Sequence, residues 1–290
     1  MISGLLTVLN TIFWCLLLYP FVILKILIPI PVIRAWATRM TVKVAESFIA
    51  GNSWNMDVTQ NIQWDVEIPP TLSPERNYLV ISNHQSWVDI IVIQYILNRR
   101  IPFIRFFLKQ QLLYVPLLGA AWWALDYPFM KRHSKQYLSR HPEKRGDDLR
   151  TIQKAMEKFK GIHFSLLNFL EGTRFTPLKH DRQKSPYRHL LVPKTGGFIF
   201  ALRAMKDHIH SILDVTIIYP EGAVSLVDAF NGKLPKVIIK VRELPVPAQL
   251  LSGNYLENSQ FRGKVQNWVH ELWRTKDQLI ESTLNSKSTT

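Results

Sequence analysis

Apolar positions run almost unbroken from Ile2 to Ile33, interrupted most sharply by Asn10 and Lys25. The stretch Leu5 to Leu24 alone supplies the roughly 20 residues that a bilayer-spanning helix needs. No lysine or arginine precedes it, and no clean small-residue cleavage site follows, so a removed signal peptide is not the expectation. The first basic residues are Lys25, Arg34, Arg39 and Lys43, so the positive-inside rule puts the bulk of the chain in the cytoplasm. Lys25, Pro29 and Pro31 make the second part of the run a poor continuous span, suited to an interfacial helix or the return arm of a re-entrant hairpin. A core helix of a soluble domain is the less favoured alternative for so long a run.

Beyond this run the pattern changes to short strands and amphipathic helices. Thr41 to Asn55 reads as a partly amphipathic connecting helix. Trp64, Val66 and Ile68 alternate as in a strand that Pro69-Pro70 ends. Tyr78 to Ile81, Ile101 to Phe107, Tyr127 to Met130, His163 to Phe169, Leu190 to Val192, Leu213 to Tyr219 and Lys236 to Val241 read as further strands. Helices are expected at Ile90 to Ile96, from Lys109 until just before Pro116, at Leu149 to Phe159, at Phe198 to Met205 and at Gln260 to Ile280. The tryptophans of the last helix are expected in the core, with a lipid interface as the alternative for Trp273. The charged stretches Tyr137 to Asp148 and Lys179 to Arg188 read as surface loops, and the tail after Thr283 as frayed. This alternation predicts an α/β fold. Its core is a mostly parallel or mixed sheet flanked by helices, preceded by an N-terminal membrane-anchoring helix or helical hairpin.

Composition narrows the partners. Across 290 residues, 36 Lys+Arg against 22 Asp+Glu give a net charge of +14, which favours an anionic partner such as a membrane surface, a phosphorylated substrate or nucleic acid. The single Cys15 excludes an intramolecular disulfide and a cysteine-based zinc site. The nucleotide-binding GxxxxGK[ST] and GxGxxG patterns, the HExxH pattern and the GxSxG elbow do not occur.

The candidate chemistry collects after the strands, where α/β folds gather ligands. His84 and Asp89 flank the turn after Tyr78 to Ile81. On one regular helix they would diverge by about 140°. They meet only if His84 precedes the helix and Asp89 lies on its first turns, with Asn83 or Ser86 as candidate caps. A histidine so placed suits a general base oriented by a carboxylate. Glu171-Gly172-Thr173-Arg174 follows the strand ending at Phe169; its glycine permits a tight path, and its arginine offers a fork matched to phosphate. Lys109 and Arg132 also fall near strand ends, and Pro193-Lys194 introduces a Gly196-Gly197 pair before a helix. A base, several cations and a membrane anchor suggest that a hydroxyl on a phosphorylated, membrane-resident substrate attacks an activated acyl group.

Five blocks carry a family resemblance. Asn83 to Asp89 resembles the NHxxxxD motif of the glycerolipid acyltransferases, the lysophosphatidic acid acyltransferase (1-acyl-glycerol-3-phosphate acyltransferase, PlsC-type) family. Phe169 to Phe175 resembles its FPEGTR block, with Leu170 in place of the usual proline. Leu191 to Phe198, Phe129 to Arg132 and Lys109 to Gly119 resemble three more, in the family's order, across roughly Trp64 to Leu244. The departures are similar to the branch with lysocardiolipin and lysophospholipid acyltransferases, which bears on the acceptor head group.

The resemblance implies that His84 is the general base and that Asp89 orients it. It further implies that Lys109, Arg132 and Arg174 contact the acceptor phosphate, that Glu171, Gly172 and Thr173 shape that pocket, and that Pro193 and Lys194 border the acyl-donor site. The expected reaction moves a fatty acyl group from acyl-CoA or acyl carrier protein to a lysophospholipid hydroxyl, foremost sn-2 of lysophosphatidic acid. No cofactor, metal or nucleic acid is implied. The expected organisation is an anchor over residues 1–40, an acyltransferase domain over 41–285 and a tail over 286–290, in a bacterial inner-membrane protein whose catalytic domain faces the cytoplasm. The competing expectation is a membrane-anchored basic protein that binds lipid or nucleic acid without catalysis. Replacing His84 discriminates the two, because a pure binder keeps its affinity.

Overall fold

The computed structural model describes residues 2–130, 140, 147–159 and 161–286. Two long helices open the chain, α1 (Ile2–Leu27) and α2 (Pro31–Thr59), with Pro31 at the first turn of the second. They form an antiparallel hairpin held by polar contacts on an otherwise apolar seam. Asn10 Nδ2 donates to Phe48 O and to Asn52 Oδ1, both at 2.9 Å. Asn55 Nδ2 donates to Ser3 O at 2.9 Å. Position 40, the expected end of the anchor, lies inside α2, which runs unbroken.

The central sheet contains β1 (Gln63–Glu67), β2 (Asn77–Ser82), β3 (Ile104–Phe106), β6 (Ser165–Phe169), β7 (Ile209–Ile218) and β8 (Lys236–Leu244), in the order β1-β8-β7-β2-β6-β3. Every neighbouring pair is parallel except β7 with β8. Two short strands, β4 (Leu108–Lys109) and β5 (Phe129–Met130), pair in parallel beside it. The intervening helices are α3 (Val88–Leu97), α4 (Leu118–Ala124), α5 (Asp147–Lys158), α6 (Pro177–Gln183), α7 (Thr195–Met205), α8 (Leu226–Phe230), α9 (Ala248–Leu251) and α10 (Ser259–Asn285), with a 3₁₀ turn at Gln110–Tyr114.

A sheet buried on both faces makes its strands read as continuous apolar runs. Alternate residues of β2 go to opposite cores. Tyr78 and Val80 pack with Val88, Val92 and Ile96 of α3, whereas Leu79 and Ile81 join Phe198 of α7 and Val265 and Trp273 of α10. A third cluster joins Leu18, Val22, Ala45 and Ile49 of the hairpin to Phe103, Leu125 and Tyr127. The hairpin is also tied down by charge. Lys25 Nζ lies 2.7 Å from Asp126 Oδ2 and donates to Ala124 O at 2.9 Å. Tyr19 donates to Leu117 O at 2.7 Å.

Several expectations are corrected. Lys179 to Arg188 begins within α6, because Pro177 suits a first turn and the Thr176 hydroxyl caps the Lys179 amide. Leu190 to Val192 forms no strand; the backbone of Leu191 is held by the side chains of Glu171 and Trp273. Trp273 is fully buried, as expected of this helix's tryptophans and against the interfacial alternative, and its indole N–H donates to Leu191 O at 3.1 Å. The expected strand over Ile101 to Phe107 shortens to Ile104–Phe106. Most of the expected loop Tyr137 to Asp148, and the cationic end of β5 including Arg132, lie outside the described residues.

On the α10 side, Lys276 is fully buried with its Nζ 2.7 Å from Asp214 Oδ1, donating to Val215 O at 2.6 Å and Thr216 Oγ1 at 3.0 Å. Arg242 Nη2 reaches the other Asp214 oxygen at 2.5 Å. Removing one member of a buried pair leaves the rest desolvated without compensation. Lys276→Met is expected to cost about 3 kcal/mol of unfolding free energy, measured by chemical denaturation in micelles. A loss below about 0.5 kcal/mol, the range of an ordinary surface change, would contradict this reading of the ion pair.

Candidate active site

The parallel registers put the chemistry at one sheet edge. Ser82 on β2 is in register with Phe169 on β6 and with Val215 on β7, so the turns after these strands open on the same side. His84 follows β2 by two residues, Glu171 follows β6 by two, and Tyr219 directly follows β7. Asn83 fixes the first turn: its side chain donates to Ile217 O at 2.8 Å and accepts from the Ile217 amide at 2.9 Å. Asn83 therefore serves as a strand-to-turn clamp, not as a helix cap. The Ser86 hydroxyl accepts the Val88 amide at 3.2 Å and donates to Val224 O at 2.5 Å.

His84 and Asp89 meet as their spacing requires, with His84 in the turn and Asp89 in the first turn of α3. His84 Nδ1 lies 2.8 Å from Asp89 Oδ2. The same oxygen accepts the Gln85 amide at 2.6 Å and the Ser86 amide at 2.9 Å. The other oxygen accepts the Tyr219 hydroxyl at 2.7 Å. Asp89 is fully buried, whereas 13% of the His84 side chain stays accessible. With Nδ1–H donated to the carboxylate, Nε2 carries the free lone pair. The imidazole stacks on Phe169, with ring centroids 4.0 Å apart and planes 18° apart, which fixes its second face.

Glu171 is fully buried and turned inward. Its Oε1 accepts the His84 amide at 2.9 Å and its Oε2 the Leu191 amide at 3.1 Å. It thus bridges the backbone of two turns. Burial pushes its carboxyl up to about 8; the two amides and Lys276 oppose this, and the Asp89 charge adds to it. Gly172 adopts φ +66°, a left-handed conformation that favours glycine, and the Lys194 side chain lies across it. Lys194 is exposed above it, and its amide donates to Leu170 O at 2.7 Å, while Pro193 is buried. Lys179 Nζ donates to Thr173 Oγ1 and to Arg174 O, both at 2.8 Å. Arg174 is exposed, its guanidinium carbon 4.9 Å from the Trp87 ring centroid, so the cation stacks beside the His84 turn.

The structure therefore gathers His84, Asp89, Glu171, Gly172, Thr173, Arg174, Pro193 and Lys194. Lys109 is exposed on β4 and shares no hydrogen bond or ion pair with this group among the described residues. Among the described residues no three His, Cys, Asp or Glu side chains gather to hold a metal. Sequence reasoning missed Tyr219, Trp87, Lys179 and Lys276. Trp87 lies within the Asn83 to Asp89 block and Lys179 just after the Glu171 block, whereas Tyr219 directly follows β7 and Lys276 lies on α10.

The sequence matches the Acyltransferase family over residues 63–225, more than half of the chain. The chain belongs to the Acyltransferase family. It is 25% identical over 268 residues to 1-acyl-sn-glycerol-3-phosphate acyltransferase 3 of Arabidopsis thaliana, covering 87% of this chain and 66% of that one. It is 24% identical to the delta form of Rattus norvegicus, covering 73% and 55%. The gamma form of Mus musculus is 28% identical over 60% of this chain and 44% of its own. The chain thus spans about half to two thirds of the length of the first two relatives. The solved structure of the 1-acyl-sn-glycerophosphate (LPA) acyltransferase PlsC from Thermotoga maritima aligns over 93% of this chain and 97% of that one, with TM-score 0.48 and 19% identity. The His84 turn and the Arg174 turn both lie within the matched region.

Because the Glu171 carboxyl is raised in the folded state, it keeps its proton between about pH 4.5 and 8 while the unfolded chain has lost it. Its contribution therefore falls as pH rises through that window. The unfolding free energy of wild type minus that of Glu171→Gln is expected to fall from pH 5 to pH 8, measured by denaturant unfolding at each pH. A difference that stays flat or grows would show that Glu171 does not titrate this way.

Proposed function

We propose that this acyltransferase moves a fatty acyl group from an acyl-CoA or acyl carrier protein thioester to the free hydroxyl of a lysophospholipid, with sn-2 of lysophosphatidic acid as the leading acceptor. The observation that carries this reading is the 2.8 Å His84–Asp89 pair beside the exposed Arg174. Its agreement with the names of the similar proteins supports the acceptor class.

In the proposed cycle His84 Nε2 accepts the proton of the acceptor hydroxyl, and its Nδ1–H stays on Asp89. The freed oxygen attacks the thioester carbonyl. The tetrahedral intermediate collapses, expelling the thiolate, which takes the proton from the imidazolium. The products are diacylated phospholipid and free thiol, and no acyl-enzyme forms. Asp89 stabilises the imidazolium through a charge-assisted hydrogen bond. Arg174 presents its fork to the acceptor phosphate, and Trp87 limits its rotamers. Lys194 lies across Gly172 on the same side and supplies a second cation. Lys109 and Arg132 are retained as proposed phosphate contacts. Pro193 with its neighbours is proposed to border the donor site.

The substrates reside in a bilayer, and α1 suits that setting. Its 26 residues are long and apolar enough to cross a membrane. It exposes Leu5, Val8, Leu9, Ile12, Phe13, Leu16 and Leu17 on its outer face. Two observations favour a hairpin lying in one leaflet over a span. Both ends of α1 touch the sheet domain, near Phe230 at Gly4 and at Asp126 through Lys25. Its partner α2 carries Arg34, Arg39, Lys43, Glu46 and Asp57, too many charges for a bilayer core. The hairpin then presents the catalytic edge to the cytoplasmic leaflet.

The test is thiol release and product formation by the detergent-purified protein, with long-chain acyl-CoA or acyl carrier protein and a panel of lysophospholipids. His84→Ala is expected to lose activity by about 10²- to 10⁴-fold, the range for a general base. Arg174→Ala is expected to raise KM for phosphate-bearing acceptors by about 10-fold, as for one charge-assisted contact. Acyl transfer that survives His84→Ala would sink the mechanism. Lipid binding without transfer from either donor would favour the non-catalytic alternative.

A further inference from the structure

Asp89 is the most heavily served carboxylate at the site, and one of its partners lies outside every motif. Tyr219 directly follows β7, 130 residues from Asp89 in sequence, and its hydroxyl donates to Asp89 Oδ1 at 2.7 Å. The three other donors, His84 Nδ1 and the amides of Gln85 and Ser86, all converge on Oδ2. Among the described residues Tyr219 is therefore the sole hydrogen-bond partner of Oδ1. Two anchors on opposite oxygens fix the carboxylate about its Cβ–Cγ bond, so that Oδ2 stays aimed at the imidazole.

We propose that Tyr219 is a positioning residue for acyl transfer, acting through Asp89 on His84 as the third member of a Tyr219–Asp89–His84 chain. This inference rests on the proposed role of His84 as base. Tyr219 is 5% exposed and packs with Val215, Ile217 and Ala229, so its ring has no room to swing away. The clamp between Asn83 and Ile217 sets the end of β7 against the His84 turn, two residues before Tyr219. Burial, followed by the charge and hydrogen bond of Asp89, raises the phenol well above its ordinary range, so it remains a neutral donor throughout the working pH range. A donor on Oδ1 draws charge from the carboxylate and moderates its pull on the imidazole. Without it Asp89 holds the imidazolium more strongly, and the base becomes available only at higher pH.

The other titratable groups facing this chain are Glu171 after β6, which keeps its proton up to about pH 8, and the cations Lys276 of α10 beyond it and Arg174 over Trp87. Tyr219→Phe leaves all of them in place. The experiment compares pH profiles of kcat/KM for wild type, Tyr219→Phe and His84→Ala. Tyr219→Phe is expected to lower kcat by about 10-fold with KM for the acceptor unchanged, the size of one charge-assisted hydrogen bond. Its acid limb is expected to move up by roughly half a pH unit. A companion protein carries 3-fluorotyrosine at position 219, which keeps the size of the ring and makes the hydroxyl a stronger donor. Its acid limb is expected to move down, and this arm holds if the phenylalanine variant does not fold. Loss of activity in His84→Ala with both profiles overlaying wild type would overturn the role of Tyr219 alone. Activity retained in His84→Ala would overturn the base assignment and this inference with it.

Discussion

The site depends on the burial of one carboxylate. Asp89 carries a negative charge into a place with no solvent access, which is tolerable only if donors meet it. Four do, and each comes from a piece of chain that must then hold its position: the imidazole, two successive amides of the turn, and a phenol at the end of β7. The carboxylate also sits in the first turn of α3, where the helix dipole favours it. A single buried charge thus makes turn, helix and neighbouring strand converge, and leaves one histidine nitrogen facing outward.

Glu171 ties the backbone of two turns together. By accepting the amides of His84 and Leu191 it joins the turn after β2 to the segment before α7. The Phe175 amide donates back to His84 O at 2.7 Å, so the two turns are laced from both sides. The Arg174 guanidinium and the Lys194 side chain then project from backbone that is already fixed. Rigid placement of cations near the proposed base suits the phosphorylated hydroxyl substrate proposed for it.

Much of this was legible in the sequence because the information is local. The strand run before His84, the five-residue spacing to Asp89 and the glycine of the Glu171 turn each predict what is found. The inward role of Glu171 was not legible, since a carboxylate next to an arginine reads equally well as a substrate contact. Tyr219 was invisible for another reason: its partner is set by the β2–β7 register, which no local pattern encodes. Leu190 to Val192 has a strand's apolar content, but side-chain hydrogen bonds satisfy it in place of a ladder. Trp273 reads as core from the periodicity of its amphipathic helix, and it packs there beside Lys276.

The central claim is that Asp89 holds His84 in the tautomer with the proton on Nδ1 and the lone pair on Nε2. The most direct measurement is ¹⁵N NMR of the imidazole in histidine-labelled protein, with His84 assigned by comparison with a His84 variant. The account predicts that at mildly alkaline pH Nδ1 carries the proton and Nε2 shows the shift of an unprotonated ring nitrogen. A His84 ring with its proton on Nε2 would contradict it.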